Sequence, residues 1–536
     1  MQKKTKYIVV TGGVISGLGK GIFTASLGKL IQAKGFKVVP IKIDPYINVD
    51  AGTMNPVEHG EVFVLDDGSE VDMDLGTYER FLDINLCSDN NITTGKIYQR
   101  VIEKEREGKY LGKTVQIIPH ITDEIQNWFK KVAKEYDAEI LMIEIGGTVG
   151  DIENLIFLEA CRQLALKEDV IFIHCTLVPV VDVVGEQKTK PTQQSVQKLR
   201  EIGIMPHFLF CRSREPLKPK IKEKISLFCG VPEDHVISGP DLDNIYKVPL
   251  ILEEQNLTDK VLQKLNFSPK KNDMKRWKEF VDKMVSAKKS VNIAITGKYT
   301  ELHDSYVSIM ESLKISCGLL GLKLNVKWIE TTDIENKKLK IEDVLKDVDG
   351  ILVPGGFGPR GAEGKIECIR YARENRIPFL GLCYGFQLAT IEFARNVCKL
   401  SKANSTEIDP NTPHPVIDLL PEQRKIYKKG GTMRLGGHDV IIKKGTKAYE
   451  IYKKTRIRER FRHRWEFVPK YKEIIERDGF VFSGHDESGE IMQILEIKNH
   501  PFFMATQFHP EFTTRVLKPN PLFLNFVKAA SKNKFS

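Results

Sequence analysis

An apolar run, Pro378-Phe-Leu-Gly-Leu382, stops at Cys383, and helical periodicity follows at once, from Phe386 to Arg395. A cysteine caught between a buried strand and a helix has to occupy a sharp turn. Gly381 and Gly385 flank it at Gly-x-Cys-x-Gly spacing, where the missing side chains permit a strained strand-to-helix elbow. That elbow aims the sulfur at a helix N-terminus. The helix dipole and a nearby imidazole both favour thiolate, lowering a cysteine pKa from about 8.5 to roughly 3.5–7.5. His509 is the candidate base, with Glu511 to orient it.

The chain of 536 residues has room for about two to four domains. Tyr7-Ile-Val-Val-Thr11 reads as a strand that runs into a glycine loop and then a helix from about Lys20 to Lys34. Apolar runs at 38–43, 140–145, 170–177 and 208–211 alternate with helical stretches, the signature of a parallel sheet covered by helices. The sequence turns charged and polar between Phe267 and Ser290, with a short amphipathic helix around Trp277. A second α/β unit begins at Val291-Asn-Ile-Ala-Ile-Thr-Gly297 and passes through Gly350-Ile-Leu-Val-Pro354 to the cysteine elbow. The expected organisation is therefore residues 1–268, a linker over 269–290, and residues 291–536.

No run of about 18 uninterrupted apolar residues appears, which argues against a membrane span, and the apolar stretch after the basic N-terminus is too short for a signal peptide. Nine cysteines are scattered without zinc-like or redox-dithiol spacing, so reduced thiols and a cytoplasmic setting are expected. The formal charge of +10 raises the question of nucleic acid, but no recognition motif with interleaved aromatics accompanies it. Most lysines read as solvated helical faces, and the field suits anionic small substrates.

The first unit's loop, Thr11-Gly-Gly-Val-Ile-Ser-Gly-Leu-Gly-Lys-Gly21, follows a strand and opens a helix. Successive N–H groups and the helix N-terminus suit phosphate oxygens, and Lys20 adds a cation. It departs from the usual P-loop, because Gly21 stands where a Ser or Thr hydroxyl would meet magnesium. Carboxylates elsewhere must then hold the metal, and Asp72, Asp74, Glu144 and Asp151 lie at or near strand ends. In the second unit Pro354-Gly-Gly-Phe-Gly-Pro-Arg-Gly361 follows a strand, and its backbone N–H groups suit an oxyanion hole. Alone, each of these features has an ordinary structural reading as a turn or a solvated face; together with the elbow and His509-x-Glu511 they describe a catalytic site.

These residues carry a resemblance. The second unit resembles a class I glutamine amidotransferase domain with a Cys, His and Glu triad. Lys42-Ile-Asp-Pro-Tyr-Ile-Asn-Val-Asp50, His59-Gly-Glu-Val-Phe-Val64, Glu144-Ile-Gly-Gly-Thr-Val-Gly-Asp-Ile-Glu153 and Lys188-Thr-Lys-Pro-Thr-Gln193 are similar to the CTP synthase family over long blocks, and the likeness runs from Tyr7 to about Ala530. It implies an N-terminal P-loop-type amidoligase domain with a parallel sheet, joined to an amidotransferase domain. The implied reaction converts UTP to CTP with ATP and L-glutamine. Cys383, His509 and Glu511 would release ammonia, which would reach the first domain by a shielded path gated at His59 and Val62.

The resemblance also implies the binding residues. ATP would meet Gly17, Leu18, Gly19, Lys20, Gly21 and Ile22, with Asp74 near phosphate, Pro240, Asp241 and Leu242 beside adenine, and Lys42 supporting phosphoryl transfer. Magnesium would sit on Asp74 and Glu144, and no organic prosthetic group is implied. UTP, overlapped by the inhibitor CTP, would use Ser16, Asp151, Ile152, Glu153, Lys188, Thr189, Lys190, Pro191, Thr192, Gln193 and Lys224. Glutamine would be held by Gly356, Tyr384, Gly385, Phe386, Gln387, Glu407 and Arg464. The loop Gly358-Pro-Arg-Gly-Ala-Glu363 resembles a lid linked to activation by GTP, and a homotetramer is implied.

Three departures from the family pattern stand out: Gly17 in place of a common Ser, Tyr384, Phe386 and Trp465 in place of other side chains near the nucleophile, and a shorter segment from Leu420 to Thr432. Two alternatives stay open. Cobyric-acid-type amidoligases join similar domains but are not expected to carry Lys188-Thr-Lys-Pro-Thr-Gln193. A non-catalytic P-loop partitioning or filament protein has no need of Cys383, His509 and Glu511.

Overall fold

Strands of aliphatic residues without polar alternation need cover on both faces, and Val38–Asp44 and Ile140–Ile145 are buried along their whole length. The computed structural model describes residues 4–54, 60–181, 185–268, 273–297, 303–419 and 433–535. Its contacts divide the chain into two units, Met1–Asp50 with Thr77–Lys278, and Ala51–Gly76 with Glu279–Ser536.

The first unit is built on a seven-stranded parallel sheet, in the spatial order Val236–Pro240, Phe208–Ser213, Val170–Leu177, Lys6–Gly12, Ile140–Ile145, Val38–Asp44 and Asn91–Thr93. Lys6–Gly12 is central, so the glycine loop leaves the middle of the sheet at its carboxyl edge, where α/β folds place ligands. The helix Lys20–Ala33 follows, and Pro191 sits in the first turn of Lys190–Glu201, where its missing N–H costs nothing. The expected parallel sheet with covering helices is what forms. Trp277, within the stretch expected to be a linker, lies in the helix Lys275–Val285; its ring is buried beside Phe81 and Tyr246, and its Nε1 donates to the Tyr246 carbonyl at 2.9 Å. Residues 269–272 of that stretch lie outside the described residues.

In the second unit a nine-stranded sheet has the order Leu322–Glu330, Lys289–Gly297, Gly350–Val353, Phe379–Leu382, Phe503–Thr506, Met492–Ile497, Phe480–His485, Arg434–Ile442 and Arg456–His463. The first five strands are parallel and the rest antiparallel. Alternating side chains feed two cores: Phe379, Phe503 and Ala505 pack into one, and Leu380, Leu382 and Met504 into the other. A short hairpin, Phe63–Val64 with Glu70–Val71, also belongs to this unit. Arginines at alternate positions of the strand Arg456–His463 hold it: Arg458 Nε donates to Asp66, Arg460 Nη1 to the Val64 carbonyl at 3.1 Å, and Arg462 Nε to Glu70 at 2.7 Å. Among the described residues no helix is long and apolar enough to cross a membrane, and all nine cysteines are free thiols.

Candidate active site

Cys383 has φ 51° and ψ −97°, a conformation that an L-residue adopts only under constraint. It ends the strand Phe379–Leu382 and begins the helix Tyr384–Asn396, as its spacing predicts. The flanking glycines are sterically required. A Cβ on Gly385 would lie 2.4 Å from the Val353 carbonyl oxygen, and one on Gly381 would lie 2.9 Å from both Ala505 Cβ and the Gly385 backbone. The Cys383 N–H is anchored on the Thr506 carbonyl at 2.7 Å.

Leu382 is in register with Thr506 on the neighbouring parallel strand, so the chain leaves the two strands side by side, presenting Cys383 from one and residues 507–511 from the other. His509 Nδ1 is 2.7 Å from Glu511 Oε1, and both side chains are buried. Phe512 stacks on the imidazole with centroids 5.0 Å apart, and the His509 N–H donates to the Arg460 carbonyl at 2.8 Å. With Nδ1 engaged by Glu511, Nε2 is the nitrogen left to exchange a proton. Burial disfavours the imidazolium, but the charges of Glu511 and Cys383 outweigh it and raise His509 to about 10. Gly355 completes the corner: a Cβ there would be 3.0 Å from His509 Cε1 and 3.8 Å from Cys383 Cβ.

Of the glutamine residues expected from the sequence, Tyr384 and Glu407 meet at one turn. The Tyr384 hydroxyl donates to the Gly358 carbonyl at 2.7 Å, and the Gly358 N–H donates to Glu407 at 2.9 Å. Burial, reinforced by Glu407, raises the Tyr384 phenol, so it stays a donor. The buried Lys365 ammonium lies 5.3 Å from that ring and would be 3.5 Å from a Cβ on Gly356. Phe386 is wholly buried in the apolar core, Gln387 donates to the Trp465 carbonyl at 2.9 Å, and Arg464 is half-buried just after the strand Arg456–His463.

In the first unit, Gly17 (φ 73°) and Gly19 (φ 80°) are left-handed, and space around both is open. A cavity lined by Gly17, Gly19, Ile22, Arg212, Leu242 and Val248 joins the loop to the segment expected to meet adenine. Arg212 holds Asp241 at 2.6 Å and reaches the Pro240 carbonyl at 3.4 Å. Leu18 is buried, Gly21 lies inside the helix, and Lys20 Nζ donates to the Gly147 carbonyl at 3.0 Å. Behind the loop, Thr11 meets His174 Nδ1 at 2.8 Å and Ser195 meets its Nε2 at 2.7 Å; burial, with the Lys20 charge adding to it, lowers this histidine to about 3 and keeps it neutral. Lys42 is buried, 3.5 Å from Asp44 and 3.8 Å from Glu144, and Glu144 also accepts from the Tyr78 hydroxyl. Asp74 falls in the segment grouped with the second unit, where its N–H bonds to Asp72 at 2.8 Å.

The residues expected at UTP occupy several places. Asp151 accepts from the Thr148 N–H at 2.9 Å, while Ile152 and Glu153 point outward and Ser16 is exposed. Thr189 accepts from Gln193 at 2.9 Å, and Thr192 donates to the Leu177 carbonyl at 2.9 Å. Lys188 pairs with Glu186 at 2.5 Å, Lys190 lies 5.9 Å from the Phe228 ring, and Lys224 is exposed. His59 lies outside the described residues, as does the whole of Leu420 to Thr432, and Val62 is buried.

Sequence reasoning missed the fully buried Gln507, whose amide nitrogen is 3.7 Å from Cys383 Sγ, and Arg462, whose carbonyl is 3.6 Å from it. The signal for Gln507 was its position two residues before His509, since residues two apart on an extended chain share a face. Tyr78, one helical turn beyond Asp74, carried no signal.

Residues 6–267 match the family described as CTP synthase N-terminus, and residues 301–529 match glutamine amidotransferase class-I. A CTP synthase of Archaeoglobus fulgidus is 58% identical over 530 residues, 98% of each chain. One of Pyrococcus abyssi is 57% identical over 534 residues, 99% of this chain and 98% of that one, and one of Caldanaerobacter subterraneus subsp. tengcongensis is 54% identical over 527 residues, 98% of each. Identity of that order, sustained across both units and nearly the full length of each relative, places the chain in the CTP synthase family of glutamine-dependent ligases.

Proposed function

We propose that the chain converts UTP to CTP, using ATP to activate the uracil 4-oxygen and ammonia released from L-glutamine at Cys383. The observation that carries this reading is the convergence of Cys383 with the His509–Glu511 pair at the ends of two adjacent parallel strands. The thiolate attacks the side-chain amide of glutamine, an S–C bond forms, and the C–N bond breaks as His509 protonates the departing nitrogen. Water then cleaves the thioester to glutamate and restores the thiol. Backbone N–H groups near Gly355 and Gly356 are the proposed oxyanion donors.

ATP occupies the cavity beside Gly17 to Ile22, with Leu242 against the base, and its transferred phosphate converts the 4-oxygen into a leaving group that ammonia displaces. Lys42 neutralises charge on the transferring phosphoryl. Asp74 and Glu144 are the proposed magnesium ligands, carboxylates being what that ion takes beside phosphates, and the ion would neutralise phosphate charge. UTP is assigned to Asp151 to Glu153, Lys188 to Gln193 and Lys224, with CTP as a competing inhibitor. GTP as activator, a homotetramer and a cytoplasmic setting belong to the same proposal. UTP amination followed with glutamine and then with ammonium salt, each with and without ATP, tests it. Activity in the absence of ATP would overturn it.

A further inference from the structure

We infer that Gln507 stabilises the attacking thiolate, its amide nitrogen being aimed at Cys383 Sγ by a relay that starts at the Trp465 carbonyl and passes through Gln387. The inference rests on the reading of Cys383 as nucleophile.

The polarity of this relay follows from one main-chain atom. An amide's oxygen and nitrogen can be exchanged without changing its shape, so a hydrogen-bond network has to assign them. The Trp465 carbonyl can only accept, and it faces Gln387 at 2.9 Å, so Gln387 presents its NH2 there. The same NH2 lies 3.4 Å from Gln507, which must therefore present its oxygen. That leaves the Gln507 nitrogen for the sulfur, 3.7 Å away.

The backbone holds Gln507 for this task. Its N–H donates to the Gln493 carbonyl at 2.9 Å, and it directly follows Thr506, the register partner of Leu382, as Cys383 directly follows Leu382. The sulfur thus meets a carbonyl that can accept from it and an amide that can donate to it. A neutral thiol donates to the Arg462 carbonyl at 3.6 Å, and a thiolate accepts from Gln507. A donor gains most from a charged acceptor in a buried site, so Gln507 favours ionisation and acts where negative charge resides before attack. Among the described residues the other titratable group that interacts with the sulfur is His509, backed by Glu511; Arg462 offers its carbonyl and turns its guanidinium to Glu70.

The test compares Gln507→Met, which keeps the length but removes the donor, with Gln507→Glu and Gln387→Met in the full chain. Alkylation of the Cys383 peptide by iodoacetamide is followed by mass spectrometry across pH, alongside glutaminase kcat and KM. Gln507→Met should move the alkylation profile to higher pH and lower kcat roughly ten- to hundred-fold, the range for a lost hydrogen bond to a charged group, with a smaller change in KM. Gln507→Glu should move the profile further, because a carboxylate then faces the thiolate. Gln387→Met should move it the same way by less. A profile and kcat for Gln507→Met within twofold of the unsubstituted protein, at an unchanged melting temperature, would overturn the inference. If Gln507→Met unfolds, Gln387→Met decides by the same shift or its absence. Cys383→Ala is run in parallel: retained glutamine-dependent synthesis there would overturn the nucleophile assignment itself, separately from the relay.

Discussion

Arg462 grips Glu70 through Nε at 2.7 Å, while its own carbonyl oxygen lies 3.6 Å from the sulfur of Cys383. One residue thus ties the hairpin containing Glu70 to the wall of the candidate glutaminase site. The Glu70 side chain is 3% exposed and that of Arg462 25%, so losing the guanidinium strands a buried carboxylate, whereas losing the carboxylate leaves a cation with some access to water. Arg462→Met should therefore destabilise the protein by about 3 kcal/mol, the low end for a broken buried pair, and slow glutamine hydrolysis. Glu70→Gln, which still offers an acceptor, should do less of both. Thermal unfolding and glutaminase assays of the two variants check the order; equal effects would contradict it.

Cys383→Ala should abolish glutamine-dependent CTP formation and leave ammonium-dependent formation standing. The elbow tolerates the smaller side chain, and the residues proposed for the nucleotides lie in the first unit, Asp74 apart. Rates with glutamine and with ammonium chloride distinguish the outcomes. Loss of both, in a protein that still melts normally, would refute separate sites for ammonia release and amination.

Much of this was legible because its chemistry is local. Gly381, Cys383 and Gly385 demand an elbow by spacing alone, and the clashes at Gly381 and Gly385 are its physical basis. Five of the seven strands of the first sheet announced themselves as apolar runs, since a sheet covered on both faces has no polar alternation, while the short strands Asn91–Thr93 and Val236–Pro240 did not. Gln507 carried one signal, its place two residues before His509, and Arg462 carried none, because their relation to Cys383 is made by the pairing of strands distant in sequence. The hairpin holding Glu70 was hidden for a similar reason. Arg458, Arg460 and Arg462 meet Asp66, the Val64 carbonyl and Glu70 across segments nearly four hundred residues apart, which no local pattern announces.

The two kinds of glycine predict different failures. Gly385→Ala puts a methyl 2.4 Å from the Val353 oxygen inside a packed unit, so it should cost about 1–3 kcal/mol or more and distort the elbow. Gly17→Ala meets no atom within 4 Å and carries only the penalty of φ 73°, about 1–2 kcal/mol if the loop keeps its shape. The first should appear as lower melting temperature with lost glutaminase, the second as a higher KM for ATP with glutaminase retained. Parallel thermal scans and KM measurements test the contrast.

Glu511→Gln tests the electrostatics of the pair. Burial alone would push His509 down, and the charges of Glu511 and Cys383 instead lift it to about 10. Removing the Glu511 charge should bring the imidazolium's pKa down, so the alkaline limb of the glutaminase pH profile should move to lower pH while kcat falls. The stability consequence has a definite sign. A folded-state pKa above the unfolded value of about 6.5 adds stability that is complete below that value and fades as pH rises toward 10. The unsubstituted protein should therefore lose melting temperature across that window, and Glu511→Gln should flatten the loss. A variant with the same alkaline limb and the same pH dependence of melting would show that Glu511 only braces the ring, and does not charge it.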